Sequence, residues 1–415
     1  MNSETTDLDN NIVCQRAALE ARPPGDPQRP SFLMEISDSL YNRFRQAYSL
    51  KDLEEAIASG REALAFRSPG HSDRPSFLHK LARCLLEQCL KEQTHLHLKE
   101  AITLSQEALN LCPTNHPDRS FALHTLARCL CEQSWKTDRK RYLKEAIALE
   151  REALELRPPG HPNRSSSLHS LALYLSDRFG KDGRMADLEE AIALGNAAIT
   201  LRPQGHPERH HSLDSLASFL HMRYRKAKIS GNLDEAITLA RAALDLRSPG
   251  HPDRPSSLHS LAVYLADRFD KSDQSEDLQE AITLGRGTFD LYTPNHSDWH
   301  LSAENLLTFL LKRYRKDKAV ADLEEIITLR RTMLERRSQE HPEQSPTIAP
   351  LQNDIAKTID EPCAEVDLDS GTVWQGVDLD AYHPEDPERA HFLMELFMTE
   401  SGKCIHRRIL GMRSS

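Results

Sequence analysis

The sequence RPPGHPNR, residues 157–164, returns along the chain with a fixed spacing of 45 residues. Its variants are RPPGDPQR at 22–29, RSPGHSDR at 67–74, CPTNHPDR at 112–119, RPQGHPER at 202–209, RSPGHPDR at 247–254, YTPNHSDW at 292–299 and RSQEHPEQ at 337–344. No insertion interrupts this register. A fixed period of this length is typical of arrays in which each repeat stacks on its neighbours. It predicts one elongated array rather than several globular domains.

Each repeat carries two helical patterns. In the copy that begins at His161, apolar residues at i, i+3 and i+4 spacing predict helix A, which runs to about Phe179. A polar segment, 180–186, is expected to end helix A, and a second apolar pattern from Leu188 to Leu201 predicts helix B. Asp187 and Glu190 have the spacing of a capping box, so we expect them to satisfy backbone N–H groups at the start of helix B. Arg178, at the end of helix A, suits the negative end of the helix dipole.

Composition limits the classes of function. The 415 residues carry a net charge of −10 with interleaved signs, which gives no general basic surface for nucleic acid. No apolar run approaches the roughly 18 residues of a membrane span, and the polar start MNSETTDLDN does not resemble a signal peptide. Of the eight cysteines, Cys84, Cys89, Cys129 and Cys131 lie in helical patterns and lack zinc-site spacing. The cysteines are interpreted as reduced thiols. These observations predict a cytoplasmic protein.

The register divides the chain into four parts. Residues 1–25 match helix B alone, and residues 26–340 contain seven complete repeats. Residues 341–400 keep the register but place Pro350 inside a helix pattern, so they are expected to be two degenerate repeats or a cap. The basic tail, 401–415, is expected to be disordered. A half-repeat start and a decayed end fit a fragment or a truncated gene model.

The repeat resembles the tetratricopeptide repeat (TPR). Ala191, Ala198 and Pro203 match the small residues and proline of helix B in that family, and Leu171-Ala172 matches the Leu-Gly or Leu-Ala pair of helix A. The longer period is similar to kinesin light chain and to fungal TPR arrays. The resemblance implies an all-α, right-handed superhelical solenoid of helix-turn-helix repeats, with helix A lining a concave groove.

One column of the repeat holds histidine in most turns: His71, His116, His161, His206, His251, His296 and His341. A row of histidines invites a metal-site or pH-sensor interpretation. However, Asp26 and Asp386 occupy the same column, and aspartate is a strong capping residue. We therefore interpret the column as turn-locking or capping residues and predict no metal site.

A second column is polar although the positions beside it are apolar: His79, His124, His169, Asp214, His259 and Glu304. In the TPR resemblance this position faces the groove, where imidazole can donate and accept hydrogen bonds to peptide backbone. Lys80, Arg83 and Arg128 lie nearby and favour an acidic peptide, whereas Leu173 replaces the arginine one repeat later. We predict that these residues bind a partner; the alternative is a solvated polar face without a ligand.

No nucleotide-binding, zinc-protease or serine-hydrolase motif is present, so no catalytic residue and no cofactor is predicted. The leading prediction is a non-catalytic scaffold that binds a protein or peptide, not nucleic acid or membrane, in the groove of helix A. The alternative is a regulatory or sensor module of a signalling protein whose caspase-like (CHAT) or NTPase domain is missing from this chain. An enzyme with an unrecognised site within 342–400 is a third possibility. The oligomeric state and the partner's identity stay open.

Overall fold

The computed structural model describes residues 3–92, 96–293, 296, 298–318 and 320–340, and within them the chain forms fifteen α-helices and no strand. The predictions for 341–400 and 401–415, and for His341 and Asp386, lie outside these residues. The helices are α1 Ser3–Glu20, α2 Arg29–Ala47, α3 Leu50–Ala65, α4 Arg74–Glu92, α5 Leu96–Leu111, α6 Arg119–Thr137, α7 Lys140–Glu155, α8 Arg164–Asp182, α9 Met185–Thr200, α10 Arg209–Ala227, α11 Ser230–Asp245, α12 Arg254–Ser272, α13 Ser275–Leu291, α14 Trp299–Asp317 and α15 Val320–Glu340.

The even-numbered helices from α2 to α14 are the A helices of the repeat, and the odd-numbered helices are B helices. The contacts divide the described chain into two compact units, with the boundary between Phe219 and Leu220, inside α10. In unit 1, α2, α4, α6 and α8 each pack against the B helices before and after them. In unit 2, α12 packs against α11 and α13, and α14 packs against α13 and α15. The expected all-α array of TPR-like helix pairs is confirmed.

Small and branched apolar residues hold each pair together. In α8 the side chains of Leu171, Ala172 and Leu175 are buried, and in α9 those of Leu188 and Ala198 are buried. Alanine in the middle of the packed faces lets helices approach closely, and the leucines fill the space between layers. Replacing one such leucine by alanine typically costs about 2–5 kcal/mol. The thin core of each repeat depends on its neighbours.

The link between helix A and helix B is shorter than the sequence pattern predicted. Helix α8 continues through Gly180 to Asp182, so the prediction that residues 180–186 are a non-helical break was wrong. Gly183 ends the helix in a left-handed conformation with φ of +69°, and its N–H donates to the Phe179 carbonyl. A glycine at this position costs no Cβ strain, and α9 begins two residues later at Met185.

The turn histidines have the structural role that was predicted. The backbone N–H of Asn163 donates to Nδ1 of His161 at 3.1 Å, and Asp26 replaces the imidazole in the first turn, where it accepts from the Gln28 N–H at 2.7 Å. The same bond recurs at His71, His116, His206, His251 and His296. Each histidine therefore locks the two residues that precede an A helix, as aspartate does in an Asx turn.

The capping box predicted for helix B was wrong. Asp187 is the third residue of α9, and its carboxylate binds the guanidinium of Arg178 in α8 through two hydrogen bonds of 2.7 Å. This A-to-B clamp recurs as Arg43–Asp52, Arg223–Asn232, Arg268–Asp277 and Arg313–Asp322. Arginine is preferred over the backbone because its planar fork matches both carboxylate oxygens.

The other member of the predicted box also has a different partner. Glu190 binds Arg151 of the preceding B helix at 2.7 Å. The same bond, 39 residues apart, joins Arg16–Glu55, Arg61–Glu100, Arg241–Glu280 and Arg286–Glu325. Glutamate in this column therefore connects neighbouring repeats along the B helices.

Among the described helices, none combines the length and the apolar character that crossing a bilayer would require.

Candidate partner-binding groove

A contact between distant repeats defines a groove in unit 1. Arg45, in the last turn of α2, forms an ion pair with Glu208, which lies just before α10 and 163 residues further along the chain. The A helices α4, α6 and α8 come between these two points in the sequence. Because the first and fifth A helices approach each other on this side, the A-helix face of unit 1 is concave. We call this concavity the unit 1 groove.

His79, in α4, is the most buried of the predicted groove residues. Its relative exposure is 5 %, and its ring stacks on Phe121 of α6 with centroids 5.6 Å apart. Burial, helped by the charge of Arg83, holds the pKa of His79 well below its usual value. Its Nε2 is buried and has no hydrogen-bond partner among the residues that the structure describes. The residue contributes a neutral imidazole that is mostly covered by the protein.

His124, in α6, is oriented by a carboxylate from the B helix behind it. Its Nδ1 lies 3.0 Å from both oxygens of Glu150, whose side chain has an exposure of 0 %. An ionised carboxylate only accepts hydrogen bonds, so Nδ1 carries the proton. When the ring is neutral, its lone pair is on Nε2, the nitrogen on the opposite side. Glu150 therefore fixes both the tautomer and the orientation of His124.

His169, in α8, and Asp214, in the part of α10 that belongs to unit 1, continue the column, and both are half-buried. Burial is the main cause that lowers the pKa of His169 to about 3, and the positive charge of Arg202 adds to it. His169 is consequently neutral at physiological pH. A neutral imidazole has one donor and one acceptor, which matches the N–H and C=O groups of a peptide backbone.

The basic residues of the groove bind acids of the preceding A helix. Asp38 accepts Lys80 Nζ at 2.6 Å and Arg83 Nη2 at 2.9 Å, and the Arg83 guanidinium also lies 4.0 Å from the centre of the Tyr41 ring. These cations are therefore not free charges in the groove. The expected preference for an acidic peptide is weakened at this point, because such a peptide would compete with Asp38.

Arg128 is compensated in the same way. Its Nη2 donates to Glu87 Oε1 at 2.7 Å, and the Tyr41 hydroxyl donates to the same oxygen at 3.3 Å. Burial outweighs the nearby arginines and, with the charge of Glu87, raises the pKa of Tyr41 to about 12. Three successive A helices, α2, α4 and α6, are thus connected by one chain of hydrogen bonds along the groove.

A buried carboxyl group lies one repeat further along. Asp177, in α8, has an exposure of 2 % and accepts hydrogen bonds from Trp135 Nε1 at 3.0 Å and Cys131 Sγ at 3.6 Å. Burial raises its pKa to about 7, although both hydrogen bonds oppose this shift. The group therefore changes charge near neutral pH, in a column where Glu87 is held ionised by Arg128.

The remaining predicted residues lie in unit 2. His259, in α12, is half-buried, and its Nε2 lies 3.3 Å from Nδ2 of Asn305 in α14. Burial lowers the pKa of His259 to about 4. Glu304, next to Asn305 in α14, is half-buried. The column is thus present on successive A helices of unit 2 as well.

Sequence reasoning missed Glu150, Arg45 and Glu208. A signal for Glu150 was available, because between positions 60 and 285 the other members of its column are small: Gly60, Ser105, Gly195, Ala240 and Gly285. At Gly195 an added Cβ would lie 3.3 Å from Leu216 Cδ1, which shows how little room the column has. A glutamate in such a place requires a specific partner. The pairing of Arg45 with Glu208 depends on curvature over four repeats and leaves no such signal.

No protein-family model matches this chain, and no curated protein matches it. Among solved structures, it is similar to a putative kinesin light chain of Podosopora anserina with nearly identical TPR-like repeats, with 22% identity over 53% of this chain and 99% of that one and a TM-score of 0.38. It is also similar to the RpL4 assembly chaperone Acl4, with 16% identity over 68% and 99% of the two chains and a TM-score of 0.39. The apo quorum sensor NprR of B. thuringiensis is 14% identical over 85% and 98%, with a TM-score of 0.43. The stacked helix pairs described above themselves give this chain its TPR-like repeat architecture.

Proposed function

We propose that this chain is a non-catalytic scaffold that binds an extended or helical segment of a partner protein in the unit 1 groove. The observation that carries the proposal is the Arg45–Glu208 contact, because it makes the A-helix face of unit 1 concave. A concave face lined by polar side chains at a fixed spacing suits a segment that lies along it.

His124 and His169 supply the chemistry that the proposal needs. His124 is oriented by Glu150, and His169 is held neutral, so both rings have defined or available hydrogen-bonding atoms. Two such rings on successive A helices suit a peptide backbone, whose donors and acceptors alternate. Pre-orientation limits the side-chain entropy that binding would otherwise lose.

Unit 2 supplies a second surface in this proposal. His259 and Glu304, on α12 and α14, occupy the same column and are assigned to partner contacts there. We also assign the protein to the cytoplasm. Among the described residues, five cysteines are buried free thiols, which fits a reducing compartment: Cys84, Cys89, Cys112, Cys129 and Cys131.

An affinity capture from lysate of the source cells tests the groove assignment. The bait is the full chain, compared with a His124→Gln/His169→Ala variant in which glutamine still donates to Glu150. The matched control is His97→Ala, which removes a half-buried histidine from α5, a B helix. We expect a partner that is lost only from the groove variant while circular dichroism stays unchanged. Retention by all three proteins would refute binding through this groove.

A further inference from the structure

The two members of the Arg45–Glu208 pair are held very differently. Glu208 Oε2 also accepts a 2.6 Å hydrogen bond from Arg202, and the Glu208 backbone N–H donates to His206. Arg202 is buried, and its guanidinium is anchored by Ser212 Oγ at 2.7 Å. Burial alone would raise the pKa of Glu208, but Arg45 and Arg202 lower it to about 2. Glu208 is therefore fixed within its own turn.

Arg45 has weaker support: besides Glu208, the nearby carboxylate of Glu87 attracts its charge, but Glu87 already binds Arg128. Its side chain is 45 % exposed, and Glu208 is the carboxylate that it binds. If the pair opened, Glu208 would keep Arg202 as its counter-ion, whereas the Arg45 guanidinium would be released toward the groove. Glu208 is less exposed, at 19 %, but it keeps Arg202 when Arg45 leaves, so opening the pair does not leave a partly buried charge without a counter-ion.

We propose that the Arg45–Glu208 pair is a gate across the unit 1 groove, and that an acidic side chain of the bound segment replaces Glu208 at Arg45. This inference rests on the proposed function and adds a chemical requirement to it. The other groove cations, Lys80, Arg83 and Arg128, already bind Asp38 or Glu87. Arg45 is the cation that gate opening makes available, and its planar fork suits a carboxylate.

The gate itself is tested by a distance measurement that needs no partner. Spin labels are attached to cysteines introduced at Gln46 and Gln204, which are exposed beside the two ends of the pair, with Cys14, Cys363 and Cys404 replaced by serine. Double electron–electron resonance then measures the distance between the two labels at low and at high salt, because salt screens an ion pair that solvent reaches. We expect a shift to longer distances at high salt, and the same shift at low salt in Glu208→Gln. An unchanged distance in both cases would overturn the gate.

The requirement for an acid is tested with fluorescent peptide pools that differ only at a fixed central residue, which is Glu, Gln or Lys. We expect the Glu pool to bind best, Glu208→Gln to strengthen its binding, and Arg45→Gln to weaken it. The opposite signs are diagnostic, because both substitutions break the same pair. Equal binding of the three pools, or effects of the same sign, would overturn the proposal.

A control separates this proposal from the groove assignment. The variant His169→Ala removes a groove residue that lies outside the Arg45–Glu208 pair. If the groove is the binding surface, this variant weakens the binding of all three peptide pools. If His169→Ala weakens peptide binding but Arg45→Gln and Glu208→Gln change it with the same sign, the gate alone is refuted. No effect of His169→Ala would refute the groove.

Discussion

Both carboxylate oxygens of Glu150 lie 3.0 Å from Nδ1 of His124, and the Glu150 side chain is completely enclosed. A buried charge that loses its partner typically costs about 3–5 kcal/mol. The substitution His124→Ala is therefore expected to lower the free energy of unfolding by about 3 kcal/mol. The additional change Glu150→Ala, the residue found at position 240 of this column, is expected to restore much of it.

Urea denaturation of the two single variants and the double variant measures this coupling as a double-mutant cycle. Independent, additive effects would show that the pair is not a unit. The same result decides how groove variants are designed, since His124→Ala would reduce binding by unfolding the repeat. For this reason His124→Gln is the more informative substitution in binding experiments.

Asp177 makes stability depend on pH. Its folded pKa of about 7 is above the unfolded value of about 3.9, so the folded state binds more protons between these values. The contribution of Asp177 to stability is therefore fully present below about pH 4, and it falls by up to about 1.4 kcal/mol per pH unit as the pH rises through this window. Asp177→Asn keeps an acceptor for Trp135 and removes the titration, so its stability relative to the natural chain is expected to rise from pH 4 to pH 7.

Chemical denaturation at several pH values measures this difference. The comparison between variants matters, because His169 and His259, whose pKa values are lowered, give a slope of opposite sign. Asp182→Asn is the matched control on the same helix. The pKa of Asp182 is lowered by Lys140, so the difference in stability between this variant and the natural chain is expected to stay constant from pH 4 to pH 7. A constant difference for Asp177→Asn would contradict the assigned pKa.

Arg178 and Asp187 are expected to contribute more than an exposed ion pair. Asp187 is nearly buried, and it receives two hydrogen bonds from one guanidinium. Arg178→Gln is expected to cost about 2 kcal/mol, because a charged hydrogen bond is lost and the carboxylate stays buried. Arg151→Gln breaks the exposed pair with Glu190 and is expected to cost less than about 1 kcal/mol. Equal losses in thermal unfolding would show that burial does not distinguish the two pairs.

Gly183 and Gly231 offer a matched pair of substitutions to alanine. An added Cβ meets nothing within 4 Å at either position, but only Gly183 has a positive φ, of +69°. Gly183→Ala is expected to cost about 1–2 kcal/mol through left-handed strain. Gly231→Ala, inside α11, is expected to be neutral or slightly stabilising. Calorimetric unfolding measures both, and a loss of the same size at Gly231 would remove the conformational explanation.

The sequence was sufficient to predict the repeat, the helix pairs and the turn histidines, because each is a local pattern copied many times. The side-chain partners of Asp187 and Glu190 were mispredicted, since capping considers one helix while these residues bind arginines of two other helices. The chain itself contained a signal for the Arg–Asp clamp. In the two repeats where His97 and Tyr142 replace the aspartate, the arginine nine residues earlier is also replaced, by Gln88 and Gln133. Curvature, and with it the Arg45–Glu208 pair, comes from small rotations that add up over repeats and are not visible in a single repeat.

Site-specific photo-crosslinking tests the central claim most directly. A photoreactive phenylalanine is placed either at Leu173, one turn beyond His169 on α8, or at the exposed Thr103 on α5. After irradiation in lysate, we expect one discrete crosslinked partner from position 173 and none from position 103. Crosslinking from position 103 alone would place the binding surface on the B helices and contradict the account.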